Sequence, residues 1–133
     1  MAFGFSSKYI HDFPVTGVTT KRSYVIAVES VKELGWELRG LSESGFVAHT
    51  STSSIRNWSE EVQVKLDFHN INIKSESVGY QFTDWGKNKR NAERFIETYN
   101  SIKDNYSTTE LDTRYHELEK LFISPFAKED LFD

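Results

Sequence analysis

The chain has 133 residues, enough for one domain with a real core, and 14% of them are aromatic. It contains no cysteine, which excludes disulfides, thiolate catalysis and cysteine-ligated metals. The net charge of −4 comes from residues 107–133, which hold seven acids and three bases, while the rest is balanced. A nucleic-acid partner is therefore not expected, because it requires a positive face for phosphates.

The sequence also bears on the compartment. No apolar run approaches the roughly 20 residues that a membrane-spanning helix needs. The N-terminus does not show a basic segment followed by an apolar one, so a signal peptide is not expected. A cytoplasmic location is the simplest expectation.

The first part of the chain predicts a strand and then a helix. Residues 8–18 favour a strand, and Pro14 within it suits an edge or a strand end. A helix is predicted over residues 21–34, with Thr19 or Thr20 as its cap and Gly35 placed to end it. Its apolar residues recur at helical spacing: Tyr24, Ala27, Val28, Val31 and Leu34.

Two short strands are predicted next, over residues 36–41 and 46–50. The residues between them, "SESG" at 42–45, are typical of a hairpin turn. A period of two predicts that three residues of the first strand share one face: Trp36, Leu38 and Gly40.

The clearest strand pattern covers residues 61–68, which follow a polar loop at 50–57. Apolar and polar residues alternate strictly there, as in a strand with one buried face. A turn at 69–70 leads into residues 71–78, where the alternation continues. The positions predicted to face inward are Val62, Val64, Leu66 and Phe68.

Two helices complete the pattern. The first covers residues 86–106. The second begins at Ser107, which with Glu110 has the spacing of a capping box. Pro125 is expected to end this second helix. The order β-α-β-β-β-β-α-α predicts an α+β domain over residues 1–124. In it, helices cover one face of an antiparallel sheet of about five strands, and residues 125–133 form a flexible tail. This order is similar to the TATA-box-binding-protein-like and helix-grip-like folds.

Motifs for catalysis and for metal or cofactor binding are not found in the sequence. The four histidines lack metal-ligand spacing, and neither a phosphate-binding glycine loop nor a nucleophile elbow is present. Glu60 and Glu61 are adjacent, so on a strand they would point to opposite faces and could not act as a carboxylate pair. We therefore expect no catalytic residue, no metal and no cofactor.

One segment, "DWGKNKRN" at residues 84–91, has an unusual charge for a helix start. Acids are favoured at the positive end of the helix dipole, whereas this segment places bases there. Asp84 is expected to cap the helix. The remaining residues indicate either an anion or partner site or a solvated corner: Lys87, Asn88, Lys89 and Arg90.

A resemblance is carried by "SESVGYQFTDWGKNKRNAERFIETY" and by the opening segment "FPVTGVTTKRSYVIAVESVKELGW". Together they resemble small uncharacterised bacterial α+β domains, similar to soluble domains found beside rhomboid-type membrane proteases. The resemblance implies a cytoplasmic accessory or regulatory module without catalysis of its own. Whether the chain stands alone or belongs to a larger membrane-associated protein stays open at this point.

Two functions are predicted from these patterns. The first is a non-enzymatic accessory or binding module that contacts a protein partner or an anionic membrane surface through the bases of residues 84–91. On this hypothesis, replacing the three bases with Glu should barely change thermal stability. Trp58, at the end of the polar loop, is either a core residue or an interface aromatic.

The alternative function is a carrier of a small apolar ligand held between sheet and helix. The residues expected to line its cavity, or simply to fill the core, are Phe46, Leu66, Phe68, Ile73, Phe95 and Tyr99.

Overall fold

The computed structural model describes residues 8–50, 60–77 and 85–123, and these ranges contain five strands and three α-helices. The strands are β1 (Lys8–Pro14), β2 (Glu37–Ser42), β3 (Gly45–His49), β4 (Glu60–Leu66) and β5 (Asn70–Ser77). The helices are α1 (Thr20–Glu33), α2 (Trp85–Ile102) and α3 (Thr108–Glu119), with a 3₁₀ turn at Lys103–Asn105. The predicted α+β class and element order are confirmed.

The strands form one open antiparallel sheet in the order β1-β5-β4-β3-β2. β1 and β2 are its two edges, so α1, which connects them, must cross from one edge of the sheet to the other. α1 and α2 pack on the sheet and on each other, and α3 packs on α1. The prediction that helices cover one face is therefore confirmed.

Alternation along the strands places the core between the sheet and the helices. Val62 and Val64 of β4 are fully buried on the helix side, together with Ile73 of β5. Trp36, just after α1, stacks on Phe95 of α2 with 6.5 Å between ring centroids. These contacts join α1, α2 and the centre of the sheet into one apolar layer.

A β-bulge in β2 corrects one sequence prediction. Leu38 pairs with Ala48, but the register then shifts, so that Gly40 pairs with Val47 and Leu41 with Phe46. Because the extra residue reverses the alternation, Leu41 takes the core-facing position predicted for Gly40.

The β4–β5 turn corrects another prediction. β4 ends at Leu66, and Asp67 closes a two-residue turn by donating its N–H to Asn70 O at 3.0 Å. The Asp67 side chain accepts from His69 N–H at 3.3 Å, which supports the turn locally. Phe68 therefore lies at the hairpin tip and is 75% exposed, so the prediction that it faces inward is wrong.

The helix ends follow the sequence closely except at the C-terminus of α3. Thr19 caps α1, Gly35 ends it with φ +76°, and Ser107 and Glu110 form the predicted capping box. α3, however, ends at Glu119, well before Pro125, so the prediction that Pro125 ends it is wrong. The predictions for Trp58, Asp84 and residues 125–133 lie outside the described residues.

Candidate functional site at the start of the second helix

Polar side chains are buried together where α2 begins. We call this group the polar cluster. Its members come from the end of β3, the start of β4, the end of β5 and the first turns of α2: Thr50, Glu60, Ser75, Ser77, Lys87, Asn88 and Asn91.

Strand register explains why these residues meet. Glu60 pairs with Ser77 and Val62 with Ser75, so both serines and the carboxylate continue the core-facing rows of β4 and β5. Asn88 and Asn91 are three residues apart and therefore share a face of α2. The apolar layer is thus replaced by a polar one at this end of the sheet.

Glu60 lies at the centre of the cluster and is only 1% exposed. Its Oε1 accepts from the Thr50 hydroxyl at 2.7 Å and from the Asn91 amide at 3.1 Å. The Glu60 backbone N–H donates to Thr50 Oγ1 at 3.1 Å. A buried carboxylate requires such partners, because an isolated one loses its hydration without compensation.

The two asparagines fasten α2 to β5. The Asn88 side chain is fully buried, accepts from the Ser75 hydroxyl at 2.7 Å and donates to Ser77 Oγ at 3.1 Å. Asn91 also donates to Ser75 Oγ, at 3.2 Å. Both ends of the Asn88 amide are therefore bonded inside the protein, and the side chain is buried.

Lys87 supplies the counter-charge to Glu60. Its ammonium lies 3.1 Å from Glu60 Oε2, and 46% of the Lys87 side chain is exposed. Among the described residues, Oε2 has no hydrogen bond of good geometry, so this ion pair is its main compensation. Residues 85–88 contain no acid, and the buried Glu60 places a negative charge beside Lys87 in the first turn of α2.

The other two predicted site residues, Lys89 and Arg90, are not members of the polar cluster as defined above. Arg90 is exposed and Lys89 is partly exposed, both in the first two turns of α2. The prediction that Glu60 and Glu61 point to opposite faces is confirmed, since Glu61 lies on the outer face, 3.6 Å from His49. The assignment of Lys87, Asn88, Lys89 and Arg90 to a binding site stays a prediction.

The cluster offers one carboxylate, one ammonium, amides and hydroxyls, and these groups are bonded chiefly to one another. Within the described residues, no group of three or more His, Asp or Glu side chains is placed to hold a metal ion. The histidines contact other residues: His69 packs on Phe68, and His116 lies 3.2 Å from Glu119. The arrangement is suited to fixing the start of α2 on the sheet and presenting its bases.

Of the six residues expected to line a ligand cavity or to fill the core, all but Phe68 lie in the core. Phe46, Ile73 and Phe95 are fully buried, and Leu66 is nearly so. Phe68 is exposed. Tyr99 is buried and also borders a cavity of about 190 Å³ beside Phe13 and Ile26. That volume is below the roughly 300–1,000 Å³ of typical ligand pockets.

Sequence reasoning missed several members of the cluster, namely Thr50, Ser75 and Ser77, and it weighed Glu60 only as half of a catalytic pair. A usable pattern was present, because polar residues occupy inward positions of alternating strands at 60, 75 and 77. Such a break in an apolar row predicts a buried polar group that needs a partner.

Comparison with known proteins finds no match: no family model, no curated protein and no solved structure matches this chain. Across the described ranges, none of the helices combines the length and the apolar character needed to cross a membrane.

Proposed function

We propose that this chain is a non-enzymatic binding module that recognises an acidic surface of a partner protein through the start of α2. The observation that carries this proposal is a basic helix start held firmly on the sheet. Residues 87–90 contain three bases and no acid, and Asn88 between them is bonded to two serines of β5.

Anchoring matters because a partner then loses little binding energy to ordering the site. The bonds from Asn88 to β5, and from Asn91 to Glu60 and Ser75, fix the first two turns of α2 relative to the sheet. Arg90 and Lys89 extend from those turns. A fixed group of bases favours a partner with carboxylates at matching positions.

The same contacts support a role without catalysis. A general acid or base must reach the group on which it acts. Glu60 is buried and bonded to Thr50, Asn91 and Lys87, so its carboxylate is occupied within the protein. This proposal agrees with the accessory role implied by the resemblance to domains beside rhomboid-type proteases.

A protein partner is favoured over an anionic membrane surface. Recognition of anionic lipids through juxtamembrane bases typically uses clusters of about four to eight Lys or Arg residues. The start of α2 offers three bases, fewer than such clusters contain. Three bases fit a limited set of carboxylates on a protein better than an extended lipid surface.

The test uses the double variant Lys89→Gln/Arg90→Gln, which leaves Lys87 and the polar cluster unchanged. The probes are an oligoglutamate peptide and vesicles of phosphatidylcholine with or without phosphatidylserine. We expect the wild type to bind the peptide in a salt-sensitive manner and the variant to bind it several-fold more weakly.

The matched control is Lys32→Gln/Lys120→Gln, which removes the same charge from two exposed lysines, one in α1 and one directly after α3. It should bind like the wild type. If both double variants lost the same affinity for the peptide, net charge alone would explain the effect, and the proposed site would be refuted. Binding to phosphatidylserine vesicles but not to the peptide would replace the protein partner by a membrane.

A further inference from the structure

The edge strand β1 carries an exposed apolar residue at its centre. Its outer-face side chains are Lys8, Ile10, Asp12 and Pro14, and Ile10 is 52% exposed. An unpaired strand edge is a template for another strand, so natural proteins usually protect it with charges, prolines, bulges or covering segments. β1 has such residues towards its ends, but its middle is occupied by isoleucine. This arrangement suits an edge that pairs with a particular strand.

The backbone groups that β1 directs away from the sheet belong to alternate residues. Val15, just after β1, donates its N–H to His69 O at 2.9 Å. The alternation of an antiparallel ladder then turns the odd-numbered residues of β1 toward β5 and the even-numbered residues away from it. The N–H and C=O groups of Lys8, Ile10 and Asp12 therefore point to the outer edge, where the described residues form no further strand.

The two charges of this edge are not matched with each other inside one chain. Asn72 and Asn70 donate to Asp12 Oδ1 at 2.7 and 2.9 Å, but these amides are neutral and leave its negative charge in place. The same bonds hold the pKa of Asp12 below its ordinary value of 3.8, so Asp12 is ionised at neutral pH. Lys8 lies opposite Glu76 in the register, yet no ion pair joins Lys8 to a described residue.

β1 is complementary to itself when two copies pair antiparallel about a two-fold axis at Ile10. Lys8 of one copy then lies opposite Asp12 of the other, and the two Ile10 side chains face each other. All three are outward-pointing residues, so their N–H and C=O groups supply the hydrogen bonds of the new ladder. Opposite charges and apolar side chains that face each other across strands stabilise such a pair.

Other registers of the same pairing are less favourable. An axis at Asp12 would place two carboxylates opposite each other and would bring Pro14, which has no N–H, opposite Ile10. An axis at Lys8 would place two ammonium groups opposite each other. An axis between these positions would bring a charge opposite Ile10. The side chains of β1 thus specify one register.

We propose that this chain forms a symmetric dimer in which the β1 strands of two copies pair antiparallel about Ile10 and join the two sheets. A strand from another protein is a poorer fit. This edge requires an acid, an apolar residue and a base at alternate positions, and β1 itself has that pattern. Because the contact is short, the dimer is weak and depends on concentration.

The first experiment exchanges the charges and measures the dimer dissociation constant of the full chain by sedimentation equilibrium. Lys8→Asp and Asp12→Lys each place like charges opposite each other, so each should raise this constant roughly tenfold. An equimolar mixture of the two variants restores opposite charges and should form a heterodimer. Lys8→Asp/Asp12→Lys should dimerise nearly like the wild type.

The matched control for net charge is Lys120→Asp, which changes an exposed lysine after α3 by the same charge as Lys8→Asp. It should leave the dissociation constant unchanged. Restoration in the mixture and in the double variant also separates lost pairing from a local effect of Asp12→Lys on its asparagine partners.

The second experiment uses a single cysteine, since the chain has none of its own. Ile10→Cys would place two thiols on opposed residues whose Cα atoms are about 5.5 Å apart, within the range of a disulfide. With oxidised glutathione as the oxidant, Ile10→Cys should form a disulfide-linked dimer much faster than Leu121→Cys. Leu121 is the matched control, because it is also a large exposed apolar residue, at 62%.

Several outcomes would overturn the dimer. One is a wild type that stays monomeric at every concentration measured. Others are a dimer that neither charge variant weakens, a mixture that dimerises no better than its components, and equal cross-linking of the two cysteine variants. A monomer that still binds oligoglutamate through α2 would refute the dimer and leave the proposed function intact. A dimer without such binding would do the reverse.

Discussion

The starts of α1 and α2 resemble each other in sequence and differ in structure. Each begins with bases and has no acid in its first turn. They lie at opposite ends of the sheet, since α1 follows β1 at the Asn70 end of β5 and α2 follows the Ser77 end. At α2 the buried Glu60 lies 3.1 Å from Lys87 of the first turn, whereas the first turn of α1 borders a groove beside Phe68.

This difference shows that the charge pattern of a helix start does not by itself define a binding site. The neighbouring strand ends decide whether the positive end of the helix is compensated internally or is left facing solvent. We therefore expect substitutions within the polar cluster to change mainly stability. Substitution of the exposed Phe68 ring at the other end of the sheet should change stability little.

The largest expected effect is that of Lys87→Glu. The new carboxylate would lie near Glu60, whose side chain is 1% exposed, and would remove its only cationic partner among the described residues. Loss of a buried pair costs roughly 3–5 kcal/mol. Because Lys87 is half exposed and partly screened, about 2–4 kcal/mol is expected in urea unfolding.

Lys87→Glu also revises the prediction that replacing all three bases would barely change stability. Adding Glu60→Gln to Lys87→Glu should recover part of the loss, because it removes the buried charge. Equal stability of Lys87→Glu and wild type would show that Glu60 does not depend on the ion pair.

Asn88→Ala should have the next largest effect. It removes the two hydrogen bonds to Ser75 and Ser77 and leaves buried hydroxyls with fewer partners, at a cost of about 1–3 kcal/mol. The measurement is the free energy of unfolding in urea. Asn100→Ala is the matched control, because Asn100 is an exposed asparagine of the same helix and should change stability by less than about 0.5 kcal/mol. Equal effects of the two variants would contradict a structural role for the cluster.

Asp112 of α3 pairs with Arg22 at the start of α1. Asp112→Asn should lower the stability by a smaller amount, which depends on pH. Hydrogen bonds from Arg22 hold the pKa of Asp112 below its ordinary value of 3.8. Because the pKa of Asp112 is lower in the folded than in the unfolded state, its ionised carboxylate stabilises the fold. This stabilisation is fully present above the unfolded-state pKa, and it is lost as the pH falls through the folded-state pKa. The difference in melting temperature between wild type and variant should thus be constant near neutrality and vanish below that pKa.

The control for this pH dependence is Asp104→Asn, which changes an exposed aspartate of the 3₁₀ turn. The difference in melting temperature between Asp104→Asn and wild type should not disappear at low pH in the same way. If the difference in melting temperature between Asp112→Asn and wild type persisted in strong acid, packing rather than charge would explain the effect.

Phe68→Ala should have the smallest effect on stability, because the ring is mostly exposed. A change within about 0.5 kcal/mol is expected in the same unfolding measurement. A loss as large as that of Asn88→Ala would mean that Phe68 supports the fold, and the contrast between the two ends of the molecule would then fail.

Much of the fold could be predicted because local patterns and tertiary packing agree. The apolar spacing of α1 and the alternation of β4 and β5 gave the correct elements, and Ser107 and Glu110 marked the start of α3. The errors fell where a single residue changes the register. The bulge in β2 moved Leu41 into the core, and the turn after Asp67 moved Phe68 out of it.

The candidate site could be predicted only in part. The bases at 87, 89 and 90 are visible in the sequence. Glu60, however, lies 27 positions before Lys87 and reaches α2 only through the pairing of β4 with β5. The bonds of Asn88 could not be predicted, since nothing local in the sequence shows which face of α2 meets the serines of β5.

The sequence by itself determined the class of fold, the order of its elements and the basic character of both helix starts. These follow from local periodicity, capping and composition, which act over a few residues. Only the tertiary structure decided that one helix start is compensated by a buried carboxylate and the other borders an open groove with an exposed ring. Those outcomes depend on which distant strand ends meet each helix, and that is set by sheet register and packing across the whole domain.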